Sequence, residues 1–472
     1  MAPRPSGHPL WVMPRRGGCF DNAVVADDLT GATTVGALLA RIGVQPTVIL
    51  DHHQLAEVAN PDDEVIIVST DSRPMPPEVA FGRVHTASGV LRDLGAQHFS
   101  KRIDTTCRGC IGAETEGMMT AVGDDAVAVI VPAMPQSNRV VAGGYSLINS
   151  VLLSRTDVAR DIRTPVTESH LPTLFRSQFS VPVAHVDLTD VVGGADQVAA
   201  RLTELRAAGN AAFLVDAVSL DDIDTIAQAV VGLGWEVVTV DPGPFTVAVA
   251  VASGVIERRP TRERTLRSEP SADDLGTVLV VAGSASGVTH DQISLLLQQE
   301  GSLELAADVL ALTNQDAAIV QAEMVRVVEA ARAGAAAGAR VAVLTLDSVV
   351  SGVKTDAHAL EDASGRPAAD VSNLLKVRLG TLARRVADAI GVGRLAGMYL
   401  TGGDIMVASC QALGAQGLKL VDYVQPQIDQ ATIVGGPFDG VPVVCKGGLT
   451  GTADIAVLSV NRLFDERYLS HV

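Results

Sequence analysis

Two adjacent carboxylates, Asp27 and Asp28, lie in the segment ADDLTGA at residues 26–32, directly after the first short apolar run of the sequence. Thr30 and Gly31 follow where a helix is expected to begin. Carboxylates in such a place can hydrogen-bond a polyol or accept the proton of a hydroxyl group. The simpler alternative is that Asp28 only caps the following helix. The segment therefore predicts either a hydroxyl-activating site or an ordinary helix cap.

Cations concentrate in two later turns of the same half of the sequence. DSR at residues 71–73 and KRIDTTCRG at residues 101–109 each follow an apolar run, and they contribute Arg73, Lys101, Asp104 and Arg108. The whole chain has a formal net charge of −18, so a local group of cations indicates an anionic ligand. An arginine fork matches a carboxylate in particular, so Arg73 and Arg108 are expected to hold the carboxylate of such a ligand. Surface ion pairing is the alternative.

Three glycine-bearing turns occur in the second half: AGSASG at residues 282–287, TGGD at 401–404 and KGGLTG at 446–451. Each lies between an apolar run and a predicted helix. Glycine lets backbone N–H groups approach a phosphate, a helix N-terminus favours negative charge, and Lys446 adds a cation. The alternative is that strand-to-helix turns simply favour small residues. Because the carboxyl ends of parallel strands share one edge, we expect the three turns on one face.

Well-known nucleotide and metal motifs are missing. Neither GxxxxGK[ST] nor GxGxxG occurs, which argues against a P-loop and against a Rossmann site. CRGC at residues 107–110 is formally a CxxC, but Cys410 and Cys445 stand alone, so no second pair completes a zinc site. We predict no metal held by protein ligands. The five cysteines, an odd number, favour reduced thiols in a cytoplasm.

The hydrophobic pattern of the sequence predicts the strands and helices that position these turns. Short Val-, Ala- and Ile-rich runs alternate with amphipathic segments, as in parallel sheets covered by helices. The sequence therefore predicts an α/β fold with two domains, each a mainly parallel sheet covered by helices. Predicted strands include residues 23–26, 64–70, 97–100, 277–282, 341–346 and 398–400, and predicted helices include 32–42, 77–94 and 371–390.

A length of 472 residues favours two domains rather than one core. The segment ERRPTRERTLRSEPSADD at residues 257–274 is highly charged and has no periodic apolar stripe, so it predicts a linker. The resulting division is a flexible tail at residues 1–20, a first domain at 21–256, the linker at 257–274 and a second domain at 275–472.

Composition and charge exclude several classes of partner. Aromatic residues are 3% of the chain, and 54 acidic side chains outnumber 36 basic ones, so nucleic acid is a poor candidate. No stretch of about 18 uncharged apolar residues predicts a membrane span, and no signal-peptide core precedes Asp27. We therefore predict a cytoplasmic protein that binds a small anionic substrate, and a homodimer is compatible with the sequence.

The order of these turns resembles the four-carbon acid sugar kinase family, from about Ala23 to about Leu463. The most specific parts are ADDLTGA, DSR, KRIDTTCRG, PAMP at residues 132–135 with Arg139, VAGSASGVTHDQ at 281–292, and TGGD. The resemblance implies a kinase that uses ATP with Mg²⁺ to phosphorylate the terminal hydroxyl of threonate, erythronate or 3-oxo-tetronate. It also implies that the active site lies in the cleft between the two domains.

The resemblance distributes the candidate residues over both domains. Those expected on the sugar-acid side are Asp27, Asp28, Arg73, Lys101, Asp104 and Arg108. Those expected on the nucleotide side are Ser284, Thr401, Gly402, Gly403, Asp404, Ile405, Lys446, Gly447 and Gly448.

Three of these residues are expected to be catalytic. Asp28 would accept or orient the hydroxyl proton, Lys101 would lie near the transferred phosphate, and Asp404 would reach Mg²⁺ through water. The roles of Asp28 and Asp404 are open to exchange.

The sequence departs from the family pattern at residues 241–246, in the turn after Lys446 and around residues 425–427. Two other functions therefore stay open. One is a catalytically silent sensor that binds a sugar acid. The other is a nicotinamide-dependent oxidoreductase of sugar acids, against which the missing GxGxxG motif counts.

Overall fold

The computed structural model describes residues 22–60, 63–161, 164–259, 264–266, 276–284 and 286–471. The chain divides into two units, an N-terminal unit Met1–Thr261 and a C-terminal unit Arg262–Val472. The predicted tail at residues 1–20 lies outside the described residues, as does most of the predicted linker at 257–274. Both stay predictions, and so do the exact domain boundaries.

The N-terminal unit is a parallel sheet covered by helices. Its strands are β1 Asn22–Ala26, β2 Pro46–Ile49, β3 Val65–Ser69, β4 His98–Arg102, β5 Val127–Ile130, β6 Arg139–Ala142, β7 Tyr145–Ile148, β8 Val151–Leu152, β9 Val183–Val186, β10 Ala212–Val215 and β11 Val237–Asp241. Its helices are α1 Leu29–Ala40, α2 Leu55–Val58, α3 Pro77–Asp93, α4 Ile111–Val122, α5 Leu171–Gln178, α6 Leu188–Val192, α7 Ala195–Ala207, α8 Leu220–Leu233 and α9 Pro244–Ala252.

The strand order of the main sheet is β2-β3-β1-β4-β11-β5-β10-β9, with every pair parallel. Ala26 at the end of β1 is in register with Ser69 of β3 and Arg102 of β4, and Arg102 is in register with Asp241 of β11. The turns after these four strands therefore meet at one edge of the sheet, as parallel strands require.

Both faces of this sheet are buried, which explains why its strands are continuous apolar runs. Along β5, Val127 and Val129 belong to one hydrophobic cluster and Ala128 and Ile130 to another. Successive side chains of a strand point to opposite faces, so each face of the sheet has its own helical layer.

Helix α1 begins three residues before its predicted start at residue 32. Asp28 is the reason, because its extended backbone and its carboxylate, which accepts a hydrogen bond from the Gly31 N–H at 2.8 Å, form the N-cap. No described helix combines the length and the apolar composition that a membrane crossing requires.

A small antiparallel sheet, in the order β6-β7-β8, follows β5 at the same edge of the main sheet. The sequence pattern did not predict these strands, because they are only two to four residues long and only partly buried. A bridge between Val141 and Ala217 connects β6 to the turn after β10.

The C-terminal unit is a second α/β layer structure. Its strands are β12 Arg264–Leu266, β13 Thr277–Ala282, β14 Ser302–Ala307, β15 Val341–Leu346, β16 Leu395–Thr401, β17 Gly417–Gln425, β18 Ile428–Val434, β19 Pro442–Lys446 and β20 Leu469–His471. Its helices are α10 Gly287–Leu297, α11 Val309–Thr313, α12 Ala317–Ala336, α13 Asp347–Ser351, α14 Ala357–Ser364, α15 Ala368–Ile390, α16 Gly403–Leu413 and α17 Ile455–Tyr468.

Strands β14, β15, β13, β16 and β19 are parallel neighbours in that order, and β18 and β17 continue the sheet in antiparallel fashion. Ala282 is in register with Thr401, and Thr401 with Lys446. The three glycine-bearing turns therefore leave the sheet side by side. The predicted mainly parallel, two-domain α/β fold is confirmed.

Candidate active site

Asp27 and Arg73 form the centre of a charged cluster at the carboxyl edge of the N-terminal sheet. The Arg73 guanidinium donates to both Asp27 carboxylate oxygens, at 2.7 and 3.1 Å, and its third nitrogen lies 2.7 Å from Asp28. The side chain of Asp27 is 2% exposed and that of Asp28 is 23% exposed. Asp28 is therefore the carboxylate of the pair that an external hydroxyl group can reach.

Arg102, the last residue of β4, adds a guanidinium that the sequence analysis missed. One of its nitrogens lies 3.5 Å from Asp27 and 3.4 Å from Asp28. The guanidinium occupies the space beside Gly31, where a Cβ atom would come within 1.8 Å of it. Glycine in the TGA part of ADDLTGA is therefore required for the arginine to fit. In the sequence, the only indication of a role for Arg102 was its position directly before Ile103 and Asp104.

Asp104 and Arg108 extend the cluster along the turn after β4. Arg108 donates to both oxygens of Asp104, at 2.7 and 3.2 Å, and its remaining nitrogen lies 3.2 Å from Asp161. Thr106 donates a further short hydrogen bond to Asp104. Burial opposes the charge on Asp104, but the guanidinium groups of Arg73 and Arg108 outweigh it and hold the pKa of this carboxyl well below its usual range.

Lys101 lies beneath this cluster rather than in it. Its ammonium group is 2.8 Å from Glu114 of α4 and donates to the Arg102 carbonyl at 2.8 Å. Both side chains are almost completely buried, at 0% and 1% exposure. Burial raises the pKa of Glu114, although Lys101 opposes the shift. Burial likewise disfavours the charge on Asp27, but Arg73, Lys101 and Arg102 together lower the pKa of that carboxyl.

The divergent segment at residues 241–246 forms a closed turn next to the cluster. The buried Asp241 carboxylate accepts hydrogen bonds from the backbone of Gly243 and Phe245 at 2.7 and 2.6 Å, and from the Thr246 hydroxyl at 2.5 Å. Burial raises the pKa of Asp241 despite these bonds. These hydrogen bonds hold the first turn of α9 against the end of β11.

In the C-terminal unit the three glycine-bearing turns contact one another. The Gly402 N–H donates to the Lys446 carbonyl at 3.0 Å, and the Ser286 hydroxyl donates to the Gly448 carbonyl at 3.2 Å. A Cβ atom at position 448 would lie 2.9 Å from the Ser284 hydroxyl. Residue 285 is outside the described residues. Ser284, Gly402 and Gly448 thus line one glycine cradle, with the N-termini of α10 and α16 beside it.

Lys446 supplies a buried cation to this cradle. Its ammonium group donates to the Gly447 carbonyl at 2.7 Å, and burial lowers its pKa to about 8. A buried positive charge is stabilised when an anion binds. A phosphate chain fits this donor set.

Asp404 and Ile405 occupy the first turn of α16, directly after Thr401, Gly402 and Gly403. The Asp404 carboxylate is about half exposed and lies 3.9 Å from Lys376 of α15. Ile405 is buried and packs toward Gly283. An exposed carboxylate at the cradle fits the outer coordination of Mg²⁺, which usually retains several waters.

Residues 22–249 match the model of a sugar-binding N-terminal domain, and residues 279–456 match that of a nucleotide-binding C-terminal domain. A D-erythronate kinase of Heliobacterium modesticaldum is 33% identical over 448 residues, which cover 93% of this chain and 96% of the relative. The chain belongs to the four-carbon acid sugar kinase family. A D-threonate kinase of Bordetella bronchiseptica is 31% identical, with 94% of this chain and 98% of the relative covered. Like these relatives, the protein is an enzyme and a kinase.

A crystal structure from Salmonella typhimurium shares the fold of this kinase. The two superpose with a TM-score of 0.73 at 20% sequence identity, over 93% of this chain and 98% of the other. The likeness supports the two-domain α/β architecture and carries no information about the substrate.

The structure of the kinase brings most of the predicted residues together within each unit. Asp27, Asp28, Arg73, Asp104 and Arg108 form one cluster, and we call these five with Arg102 the arginine–aspartate cluster. Lys101, expected near the transferred phosphate, is buried against Glu114 instead. On the other unit, the predicted nucleotide residues Ser284, Gly402, Gly447 and Gly448 lie at the glycine cradle with Lys446. The functional roles of all these residues stay predictions.

The CxxC segment of the kinase is not cross-linked. Cys107 and Cys110 are free thiols, as are Cys410 and Cys445 among the described cysteines. Burial, with a further contribution from Asp104, raises the pKa of the Cys107 thiol. A thiol that stays protonated is a poor nucleophile, so the segment has no feature of a reactive dithiol.

The buried pair of Lys101 and Glu114 makes a prediction about stability. Glu114→Gln leaves the Lys101 charge buried beside a neutral amide, and we expect a loss of about 3 kcal/mol in the free energy of unfolding. A double variant, Lys101→Met with Glu114→Leu, should lose less than Glu114→Gln alone, because no charge is left unpaired. Urea unfolding followed by the fluorescence of Trp235, which belongs to the N-terminal unit, measures this.

The matched control is the exposed pair of Arg332 and Glu329, whose closest atoms are 2.5 Å apart. With circular dichroism as the readout, Glu329→Gln should change the unfolding free energy of the C-terminal unit by about 1 kcal/mol or less, because water screens exposed ion pairs. An equal loss for Glu114→Gln and Glu329→Gln would contradict the stabilising role given to the buried pair.

Proposed function

We propose that this kinase transfers the γ-phosphoryl group of ATP to the terminal hydroxyl group of a four-carbon sugar acid. The supporting observation is that each unit carries its own charged site. The unit that matches a sugar-binding model carries the arginine–aspartate cluster, and the unit that matches a nucleotide-binding model carries the glycine cradle with Lys446. The relatives are named for D-erythronate and D-threonate, and we propose acids of this class as substrates.

In the proposed reaction the terminal oxygen of the acid forms a bond to the γ-phosphorus while the bond from that phosphorus to the bridging oxygen of ADP breaks. The hydroxyl proton leaves toward Asp28. Direct transfer requires the hydroxyl group and the γ-phosphate to meet within reacting distance. The predicted position of the site between the domains stays a prediction, and so do the homodimer and the cytoplasmic location.

Asp28 is the residue proposed to orient the hydroxyl group. Its carboxylate is fixed by Arg73 at 2.7 Å and by the Gly31 N–H at 2.8 Å, so its free lone pairs have defined directions. Phosphoryl transfer depends more on positioning and charge neutralisation than on proton abstraction. Asp404 is the alternative candidate for this role.

Lys101 is proposed to act through Asp27 rather than on the phosphate. The charge of Lys101 lowers the pKa of Asp27. The ionised Asp27 carboxylate in turn fixes the Arg73 guanidinium through two hydrogen bonds. Arg73 and Arg108, predicted from the sequence to hold the carboxylate, each use two nitrogens on an aspartate. Their remaining N–H groups are proposed to bind hydroxyl oxygens of the acid. This makes Lys101 and Glu114 positioning residues.

In the C-terminal unit, backbone N–H groups of the cradle and the Lys446 ammonium would hold the phosphates. Asp404 would hold Mg²⁺ through water. Bound Mg²⁺ would neutralise charge on the phosphate oxygens.

The test of the substrate class is a coupled assay of ADP release with D-erythronate, D-threonate, L-threonate and 3-oxo-tetronate, with erythritol as an uncharged control. We expect one acid to give a kcat/KM at least about 10²-fold above that of erythritol, because an arginine–carboxylate contact contributes on this scale. If no acid gives ADP, the proposed kinase reaction with tetronates is wrong. Binding of an acid without ADP release would favour a sensor.

Asp28→Asn tests the orienting role. Asparagine caps helices about as well as aspartate, so α1 should be preserved. We expect kcat to fall by about 10²-fold or more while the dissociation constants of both substrates change by less than about fivefold. Asp187→Asn, at the N-cap of α6 on the same sheet, is the matched control and should keep wild-type turnover. Near-normal kcat for Asp28→Asn would transfer the role to Asp404.

Nucleotide affinity should depend on the protonation of Lys446. Burial lowers its pKa to about 8, so the ammonium is charged below this pH and neutral above it. Bound phosphates favour the charged form, and affinity should therefore fall as the pH rises through about 8. The expected loss between pH 7.5 and pH 9.5 is about tenfold, the size of one charge-assisted contact.

Calorimetric titration of ATP with Mg²⁺ across this range measures the effect. Lys446→Met should bind more weakly at pH 7.5 and show no such decline. Lys419→Met, which removes an exposed lysine of β17 in the same unit, should behave as wild type. A decline of equal size in Lys446→Met would show that another group is responsible.

A further inference from the structure

We propose that Arg139 binds the carboxylate group of the sugar acid and thereby selects acids over neutral molecules of the same shape. The proposal rests on the proposed function, since it names the residue that recognises the charged end of that substrate. It concerns a residue outside the arginine–aspartate cluster and places the small sheet β6-β7-β8 in substrate recognition.

Arg139 differs from the three arginines of the cluster in its partners. Arg73 and Arg108 each hold an aspartate with two nitrogens, and Arg102 lies near two aspartates. Among the residues that the structure describes, Arg139 has no carboxylate partner. One terminal nitrogen donates to the Ser137 carbonyl at 2.5 Å, and its Nε is buried without a hydrogen-bond partner. Arg139 therefore has donors to spare for an external carboxylate.

The backbone fixes Arg139 at the edge of the sheet where the cluster lies. Its N–H and carbonyl group pair with those of Met134, at 3.2 and 2.8 Å, in the turn that follows β5. Asn138 precedes it in the left-handed conformation, with φ of 55°, which closes this turn tightly. The side chain is half-buried. Arg139 thus begins β6 in a defined position rather than on a loose loop.

Electrostatics links Arg139 to the cluster. Burial lowers the pKa of its guanidinium, and the charge of Asp104 partly offsets this. Asp104 is already engaged by Arg108 and Thr106, so its capacity to neutralise a further cation is small. A half-buried guanidinium without its own counter-ion gains free energy when a carboxylate binds, and its planar fork offers a bidentate geometry.

A four-carbon acid has the complementary arrangement, with a carboxylate at one end and the reacting hydroxyl at the other. If Arg139 binds the carboxylate, the hydroxyl end is left to Asp28, whose carboxylate is partly exposed. The aspartates of the cluster would repel a carboxylate placed among them, whereas they can accept hydrogen bonds from hydroxyl groups. Because the arginines of the cluster are already paired with its aspartates, this arrangement favours one orientation of the acid.

The experiment compares an acid with its neutral amide. Dissociation constants of D-erythronate and D-erythronamide are measured by calorimetry for the wild type, Arg139→Met and Arg139→Lys, using D-threonate and its amide in parallel. The wild type should bind the acid at least about 10²-fold tighter than the amide, as expected for charge-assisted hydrogen bonds. Arg139→Met should bind the acid and the amide within about threefold of each other, and Arg139→Lys should recover part of the preference.

Turnover gives a second readout. In Arg139→Met the KM for the acid should rise by about 10²-fold, while kcat at saturation changes by less than about fivefold. The thermal midpoint should stay within a few degrees of wild type, because the one hydrogen bond that this guanidinium makes to a described residue is to its own turn. Arg160→Met, which removes an arginine of the same unit whose side chain is 80% exposed, is the control and should leave all constants unchanged.

The two proposals fail in different ways. Arg139→Met with a wild-type preference for the acid, or a wild type without any preference, overturns the assignment of Arg139 even if ADP is released normally. Failure of the wild type to release ADP with any tetronate overturns the proposed reaction, while a loss of acid binding in Arg139→Met would still support the carboxylate contact.

Discussion

The two-pronged ion pair of Arg73 with Asp27 is the contact on which the N-terminal site depends. It joins the turn after β3 to the turn after β1, and the backbone N–H groups of Ser72 and Arg73 reinforce it by donating to the Asp27 carbonyl at 3.0 and 3.3 Å. Neither charge is stable alone at this depth, because desolvation penalises an unpaired buried ion heavily. Each holds the other in its ionised form, and Asp28 and Arg102 take their positions from the same contact.

Buried charge in this unit is arranged in layers. Lys101 and Glu114 neutralise each other beneath Asp27, the arginine–aspartate cluster follows at the strand ends, and Arg108 and Asp161 lie at its more exposed side. Most N–H donors of the cluster arginines are bonded to aspartates, which explains how several guanidinium groups can lie together at one edge of the sheet. Arg139 has no carboxylate partner among the described residues, so its guanidinium is available to an external carboxylate. The cradle of the C-terminal unit differs in composition, because it combines the N-termini of α10 and α16 with one buried lysine, Lys446.

Much of this arrangement could be predicted from the sequence. Strands at residues 277–282 and 341–346 agree with the structure to the residue, because buried parallel strands are uninterrupted apolar runs bounded by turn residues. The turns that contain the candidate residues follow strands, so parallel pairing alone brought them to one edge of each sheet. Partners of charged side chains could not be predicted in the same way. Lys101 and Arg102 are neighbours in β4, so their side chains point to opposite faces of the sheet. The Lys101 side chain contacts Glu114 of α4, and the Arg102 side chain lies beside Gly31 of α1. Which of the two is buried in an ion pair therefore depends on where α1 and α4 pack. The short strands β6 to β8, which position Arg139, have too few residues to show a period.

The division of binding between the units is the central claim, and hydrogen–deuterium exchange with each ligand added separately tests it most directly. A tetronate alone should protect peptides that contain residues 26–31, 71–73, 102–109 and 134–142, and leave the C-terminal unit unchanged. ATP with Mg²⁺ alone should protect peptides that contain residues 282–289, 401–406 and 446–450, and leave the arginine–aspartate cluster unchanged. Protection of the glycine cradle by the acid alone, or of the cluster by the nucleotide alone, would contradict the account.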